Sequence, residues 1–379
     1  MDRAEPSAGA TPAAIAPELS AALGRRADES GFLRFDRFME VALYGDRVGY
    51  YAGPAPPFGP EGDFYTAPRV SPLFGRTIAA HLATLREELG KERPFSIVEL
   101  GAGDGTLADS ILASLPEGDR GGLEYILVER SPTLARLALE RASHAAERRD
   151  VSVRLAPSLG EIGPFRGAVV ANEVLDAQPA RRLRWTGSAY EELGVRLEGD
   201  RLVADVRSDA GPIPGPALPS TLEAGQIVEI SPMAEALVRE TADHLVQGIA
   251  LFLDYGLEEP ALLRGHPGGT LAAVRGHRFV DDPLSRPGAT DLSTFVNFTR
   301  VREVARRAGL EERAFRSQAE ALGDWGFPRW LEEDQGRAPS AEERVRLQLA
   351  AKNLLFGFER FRVLELATPP GLADGPRPT

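Results

Sequence analysis

The stretch Ser96-Ile97-Val98-Glu99-Leu100-Gly101-Ala102-Gly103-Asp104-Gly105 constrains this chain more than any other. A β-branched run ends in an acid, three glycines follow at G-x-G-x-G spacing, and a helical pattern (Leu107, Ile111, Leu112, Leu115) begins at once. A strand that turns sharply into a helix over small residues lets a ligand lie against bare backbone at the helix N-terminus. A dinucleotide fingerprint would be G-x-G-x-x-G, with its last glycine where Thr106 stands. The spacing speaks against a dinucleotide and leaves open whether the turn holds another ligand or none.

Around this turn the pattern alternates. Strands are expected at 96–100, 125–128, 151–155, 168–171 and 249–253, with helices near 107–115, 132–145 and 233–246. Such alternation implies an α/β fold, a Rossmann-like, mostly parallel sheet with helices on both faces. The theme continues with strands at 270–274, 312–315 and 362–366 and a helix at 301–308. Residues 181–206, with the turn Glu198-Gly199-Asp200, read as an antiparallel insertion, and Pro212 to Pro219 as linker. The domain reading is a disordered tail over 1–18, a helical and loop cap over 19–90, and a sheet domain over 91–366. Insertions are expected near 181–225 and 275–300, a helical segment at 316–358, and a second disordered tail over 367–379.

Composition removes whole classes of chemistry. The 379-residue chain has no cysteine, which excludes thiol nucleophiles, disulfides and thiolate metal sites. Its five histidines (His81, His144, His244, His266, His277) form no H-x-x-x-H pair, so no metal is expected. Only Lys91 and Lys352 are lysines, which leaves little room for a Schiff base. A net charge of −12 argues against general nucleic-acid binding. No run approaches the roughly eighteen apolar residues of a membrane span, and the N-terminus lacks a signal-peptide pattern. A cytoplasmic enzyme is the expectation.

Several residues stand where chemistry would need them. Glu129 ends the second expected strand, roughly twenty residues beyond the glycines, where an acid accepts hydrogen bonds from ribose hydroxyls; alone it reads equally as a surface acid. After the fourth strand, Asn172, Glu173 and Asp176 bring one amide and two carboxylates to the expected switch point, outside the strand ends where α/β sheets bind ligands. Read from the residues alone, Gly62-Asp63-Phe64-Tyr65-Thr66-Ala67-Pro68 and Asp254-Tyr255-Gly256 are surface turns. Arg275, Gly276, His277, Asp291 and Asn297 likewise read as solvated loop polarity.

Taken together, these segments resemble one family. The tight G-x-G-x-G with an acid two residues before it is the form found in class I S-adenosylmethionine (SAM) methyltransferases. Phe38–Tyr44, Gly49-Tyr50-Tyr51, Gly62–Pro68, Asn172–Ala177, Asp254-Tyr255-Gly256, Gly269-Thr270-Leu271 and Asp291–Phe298, in that order, resemble the MidA-like members of that class. Those are bacterial and mitochondrial relatives of the arginine methyltransferase needed for assembly of respiratory complex I. The resemblance covers roughly residues 30 to 365. Gln178 and the insertion at 181–220 depart from the pattern and leave the acceptor open.

The resemblance implies that SAM lies over Gly101, Gly103 and Gly105, its ribose held by Glu129, with Gly62, Asp63, Phe64, Thr66, Glu99 and Asn172 completing the cofactor site. It implies Asn172, Glu173 and Asp176 as catalytic residues and a protein substrate, a complex I subunit among the candidates. His277 is the expected acceptor of the released proton. Two other readings remain open at this point: methylation of a small molecule, and a SAM-binding assembly factor with little turnover.

Overall fold

The computed structural model describes residues 15–53, 66–91, 94–115, 122–219 and 221–370. The chain divides into two compact units, each built from three stretches.

The sheet unit comprises Tyr65–Leu175, Leu237–Gly256 and Arg302–Thr379. Its strands are β1 (Phe95–Leu100), β2 (Leu123–Val128), β3 (Ser152–Ala156), β4 (Phe165–Asn172), β5 (Leu245–Leu257), β6 (Glu311–Ser317) and β7 (Phe361–Ala367). They run in the order β6-β7-β5-β4-β1-β2-β3. The pairs from β3 through β5 are parallel, whereas β7 runs antiparallel to both β5 and β6. Both faces of β1 are covered: only Ser96 is partly exposed, and Glu99 is buried among the strand's apolar residues. The helix Pro132–Glu147 starts where Ser131 accepts the Leu134 N–H and Pro132 presets the first turn. The chain walks outward from β1 to β3, then returns to place β4 on the other side of β1. That reversal is the switch point where open α/β sheets bind ligands.

The antiparallel unit comprises Met1–Phe64, Asp176–Ala236 and Leu257–Val301. Its main sheet orders Phe32–Arg34, Tyr190–Glu198, Arg181–Trp185 and Ile227–Ile230, with Arg201–Arg207 also paired to Tyr190–Glu198. Glu198 faces Arg201 across the expected turn, where Gly199 takes a left-handed φ of 64°. The helices Pro17–Gly24 and Phe35–Tyr44 supply Leu19, Leu23, Phe38, Met39 and Leu43 to its core.

Four expectations are corrected. The first helix begins at Pro17 and Ile15 packs on the core, inside the stretch read as a tail; residues 1–14 and 371–379 lie outside the described residues. The helix Leu73–Leu89, read as part of the N-terminal cap, packs in the core of the sheet unit. The strand expected at 270–274 is Ala272–Arg275; it belongs to a separate three-stranded antiparallel sheet, not to the parallel one. Finally, the proline-rich linker is anchored. Arg181, buried against Glu192 with Nε 3.1 Å from Oε2, donates to the carbonyls of Ala210 (2.6 Å) and Pro212 (2.9 Å). Arg300, paired with Glu235 at 2.7 Å, donates to Pro216 at 2.8 Å.

Candidate active site

The glycine turn leaves β1 with Gly101, Gly103 and Gly105 all at positive φ (64°, 57° and 79°). Side chains are excluded at two of them for separate reasons. A methyl group on Gly101 would stand 2.9 Å from Val174 Cγ2, and one on Gly105 would stand 2.7 Å from Ala138 Cα. The first keeps the backbone close to the turn after β4; the second lets the helix Thr106–Ser114 pack on its neighbour. The N–H groups of Gly101 and Ala102 both donate to the Val128 carbonyl, which pins the loop to the end of β2.

Three acids surround this loop. Glu129 is buried and its two oxygens accept the N–H groups of Gly103 (2.9 Å) and Ser131 (2.8 Å). Burial raises its pKa despite those bonds. With the Arg130 N–H these amides occupy part of the carboxylate's roughly four acceptor sites, which leaves capacity for a ligand hydroxyl. Glu99 faces inward instead and accepts the Tyr125 hydroxyl at 2.6 Å. Burial, with the nearby charges of Asp104 and Glu129 adding to it, pushes its pKa up to about 8. Glu99 is therefore a neutral acid within the sheet at neutral pH. Asp104, absent from the sequence-based site, accepts from Thr106 at 2.7 Å and pairs with Arg69 at 2.5 Å and Arg141 at 2.9 Å. Burial opposes its ionisation, but the Thr106 bond and the two guanidinium groups hold its pKa below the usual range. Arg69 lies on the short helix Ala67–Val70, so the end of the Gly62–Pro68 motif is tied to the glycine turn. Thr66 precedes that helix, and its carbonyl accepts the Arg69 and Val70 N–H groups. Gly62, Asp63 and Phe64 lie outside the described residues.

The turn after β4 carries the most distorted backbone at the site. Glu173 has φ of 54°, a left-handed conformation rare for a side chain of its kind. Asn172 donates to Glu173 Oε1 at 3.1 Å, while its buried Oδ1 meets no partner among the described residues. The end of β5 holds this turn: the Glu173 N–H donates to the Leu253 carbonyl, and the Val174 and Leu175 N–H groups donate to Asp254 Oδ2 at 3.1 and 2.8 Å. Asp254, read from its residues alone as part of a surface turn, is fully buried.

Asp176 opens the second stretch of the antiparallel unit. It is buried, and its carbonyl accepts the Thr294 N–H. In that unit the Tyr51 hydroxyl donates to Asp291 at 3.3 Å, and the Tyr44 hydroxyl donates to the Ala177 carbonyl at 3.0 Å. Burial first, then the charges of Asp291, Tyr44 and Asp176, drive the Tyr51 pKa well above its ordinary value. Asp291 and Asn297 are thus buried, not solvated. Asn297 accepts the Arg300 N–H with its side-chain oxygen at the start of the helix Phe298–Arg307, which is why an amide stands there. His277 takes the opposite place. With Gly276 it forms the two-residue turn between Arg275 and Arg278, both at positive φ (57° and 60°), and it is exposed. Among the described residues no group of three or more His, Asp and Glu could hold a metal ion.

An adenosyl cofactor fits the sheet unit's residues. The glycine turn presents bare backbone at three positive-φ glycines, Glu129 presents spare acceptor capacity at the end of β2, and Asn172 Oδ1 is an unspent buried acceptor at the end of β4.

Known proteins bear on this geometry. A family model of S-adenosyl-L-methionine-dependent methyltransferases matches residues 77–315. Among curated proteins, the mitochondrial protein arginine methyltransferase NDUFAF7 homolog of Drosophila melanogaster is 28% identical over 305 residues, covering 72% of this chain and 66% of its own length. Its Danio rerio counterpart is 26% identical over 299 residues, covering 73% and 69%. The chain therefore spans about two thirds of the length of these relatives. A Burkholderia thailandensis protein crystallised with S-adenosyl-homocysteine superposes with a TM-score of 0.79 at 28% identity, covering 96% of both chains.

Proposed function

The chain belongs to the family of S-adenosyl-L-methionine-dependent methyltransferases, and on that premise we propose that it methylates an arginine side chain of a partner protein. When bound, SAM supplies an electrophilic methyl group on a sulfonium sulfur. Gly101, Gly103 and Gly105 would hold it against bare backbone, Glu129 would take its ribose hydroxyls, and Asn172 Oδ1 would accept from its polar end. Alignment of this kind contributes about 7–11 kcal/mol to a displacement reaction.

The observation that carries the acceptor side is Glu173. Its carboxylate emerges from a left-handed backbone at the end of β4, beside the residue that packs on Gly101. A guanidinium is protonated at any ordinary pH (pKa above about 12). An acid at this point binds that cation, orients one nitrogen and stabilises the positive charge as the proton departs. The same role is proposed for Asp176, the second carboxylate of the motif. For His277, exposed on its hairpin turn, proton acceptance into solvent is the role left to test. The names of the mitochondrial relatives, protein arginine methyltransferases, support arginine as acceptor. A respiratory complex I subunit is the first candidate substrate, following the MidA-like resemblance.

Calorimetry with S-adenosyl-homocysteine and methyl-label transfer to a cell lysate test the division of roles. Gly103→Val should lose product binding by about 100-fold or more, because a side chain there blocks the approach. Glu173→Ala should bind within about threefold of wild type yet lose about 100-fold or more in transfer. Equal loss of binding in both variants would overturn the assignment. Label confined to small molecules would point to a different acceptor, and no label at all to an assembly factor.

A further inference from the structure

Three successive amides, those of Glu173, Val174 and Leu175, are all spent on two consecutive residues of β5. Successive N–H groups in a turn containing a left-handed residue form a concavity suited to an anion. Here the anion is the protein's own: Asp254 is 1% exposed, and its Oδ2 takes two of the three amides. Its Oδ1 accepts the Tyr255 N–H at 2.9 Å, so both carboxylate oxygens are fixed. A left-handed backbone at a non-glycine residue persists only where surrounding contacts over-determine it.

We infer that Asp254 is a positioning residue for methyl transfer, one that holds the Asn172–Leu175 turn in its strained form and so aims Glu173 at the reacting centre. The inference rests on the methyltransferase reading above. Asp254 acts on both sides of that centre. By clamping Val174 and Leu175, the two residues that follow Glu173, it sets the acid's direction, and by seating Val174 against Gly101 it sets how closely the turn approaches the cofactor loop. The sequence reason for an aspartate is reach: its short carboxylate spans two adjacent amides from the end of the neighbouring strand. A glutamate would have to fold back within a fully buried space.

Two variants grade the effect. Asp254→Asn keeps one oxygen for the Val174 and Leu175 amides but turns a donor toward the Tyr255 amide; Asp254→Ala releases these amides altogether, leaving only the Glu173 bond to the Leu253 carbonyl. We expect S-adenosyl-homocysteine affinity within about threefold of wild type for Asp254→Asn. Label transfer from SAM to lysate should fall about tenfold for Asp254→Asn and about 100-fold for Asp254→Ala, in kcat more than in KM for SAM. In a Glu173→Ala background, Asp254→Asn should add less than about twofold, because the group being aimed is gone. Multiplying losses in that double variant, or full transfer by Asp254→Asn, would overturn the inference. Amide hydrogen exchange over residues 172–178 needs no acceptor. Protection there should drop in Asp254→Ala, and unchanged protection would refute the clamp. A wild-type protein that transfers no label would instead overturn the methyltransferase reading, with the exchange result still deciding whether the clamp exists.

Discussion

Two groups of buried carboxylates, one in each unit, are satisfied differently. Near the glycine turn, the sheet unit satisfies Glu129 and Asp254 with backbone N–H groups and Glu99 with a hydroxyl, while Asp104 takes guanidinium partners. The antiparallel unit satisfies Glu192 and Glu235 with the guanidinium groups of Arg181 and Arg300, which also grip the carbonyls of a proline-rich strap. An amide partner fixes a carboxylate in place and leaves it spare lone pairs. A guanidinium partner neutralises it and turns the pair into a brace. The first arrangement shapes a site for a ligand, and the second shapes the protein itself.

The largest expected effect tests the braces. Arg181→Met strands Glu192 in a fully buried place, and uncompensated buried charges of this kind cost about 3–5 kcal/mol. Urea unfolding should show that loss. Arg181→Met combined with Glu192→Leu should recover most of it, since well-packed apolar pairs replace buried ion pairs at little cost. A single variant within about 1 kcal/mol of wild type would mean that the pair is not a brace, and the contrast between the units would fail.

A smaller effect separates the two units by their glycines. Gly105 and Gly199 share a left-handed φ (79° and 64°), but a methyl group at Gly105 meets the Ala138 backbone at 2.7 Å while one at Gly199 meets nothing within 4 Å. Conformation alone costs about 1–2 kcal/mol for a non-glycine residue, and forcing atoms into a packed contact adds about 1–3. Gly105→Ala should therefore lose about 2–4 kcal/mol in chemical denaturation, and Gly199→Ala about 1. Equal losses would show that the glycine turn is conformationally demanding without being tightly packed.

The same contrast explains what the sequence disclosed. The sheet unit was legible because its signals are local: β1, the glycine turn and the following helix lie within twenty consecutive residues, and Ser131 caps its helix from the adjacent position. Its strands and helices stand within a few residues of where periodicity puts them. What was not legible depends on contacts far apart in the chain. Asp254 reads as a loop acid because the amides it serves are 79 and 80 residues upstream. Pro212–Pro219 reads as linker because Arg300, which holds Pro216, is 84 residues away. Tyr51 and Asp291 are 240 residues apart, and no local pattern marks either as buried. Sequence periodicity reports which face a residue takes within its own element; it cannot report which distant carbonyl or amide the side chain will meet.

The smallest effect probes the exception within the sheet unit. Glu99 accepts the Tyr125 hydroxyl from within the sheet, and burial raises its pKa from about 4.5 in the unfolded chain to about 8 in the folded one. A raised folded pKa means that the native state holds a proton the unfolded state has released between those values. Its contribution to stability is thus complete below about pH 4.5 and is lost as pH rises toward 8. Glu99→Gln keeps an acceptor for Tyr125 without a charge to bury. At pH 6 the variant should match wild type or fall slightly below it. At pH 9 it should be the more stable of the two, by on the order of 1–2 kcal/mol, and its melting temperature should decline less steeply between those pH values. Parallel pH profiles would mean that Glu99 is ionised at neutral pH like an ordinary carboxylate. It would then carry a buried charge within the sheet, and the line drawn between ligand-facing and internally satisfied acids in this unit would have to move.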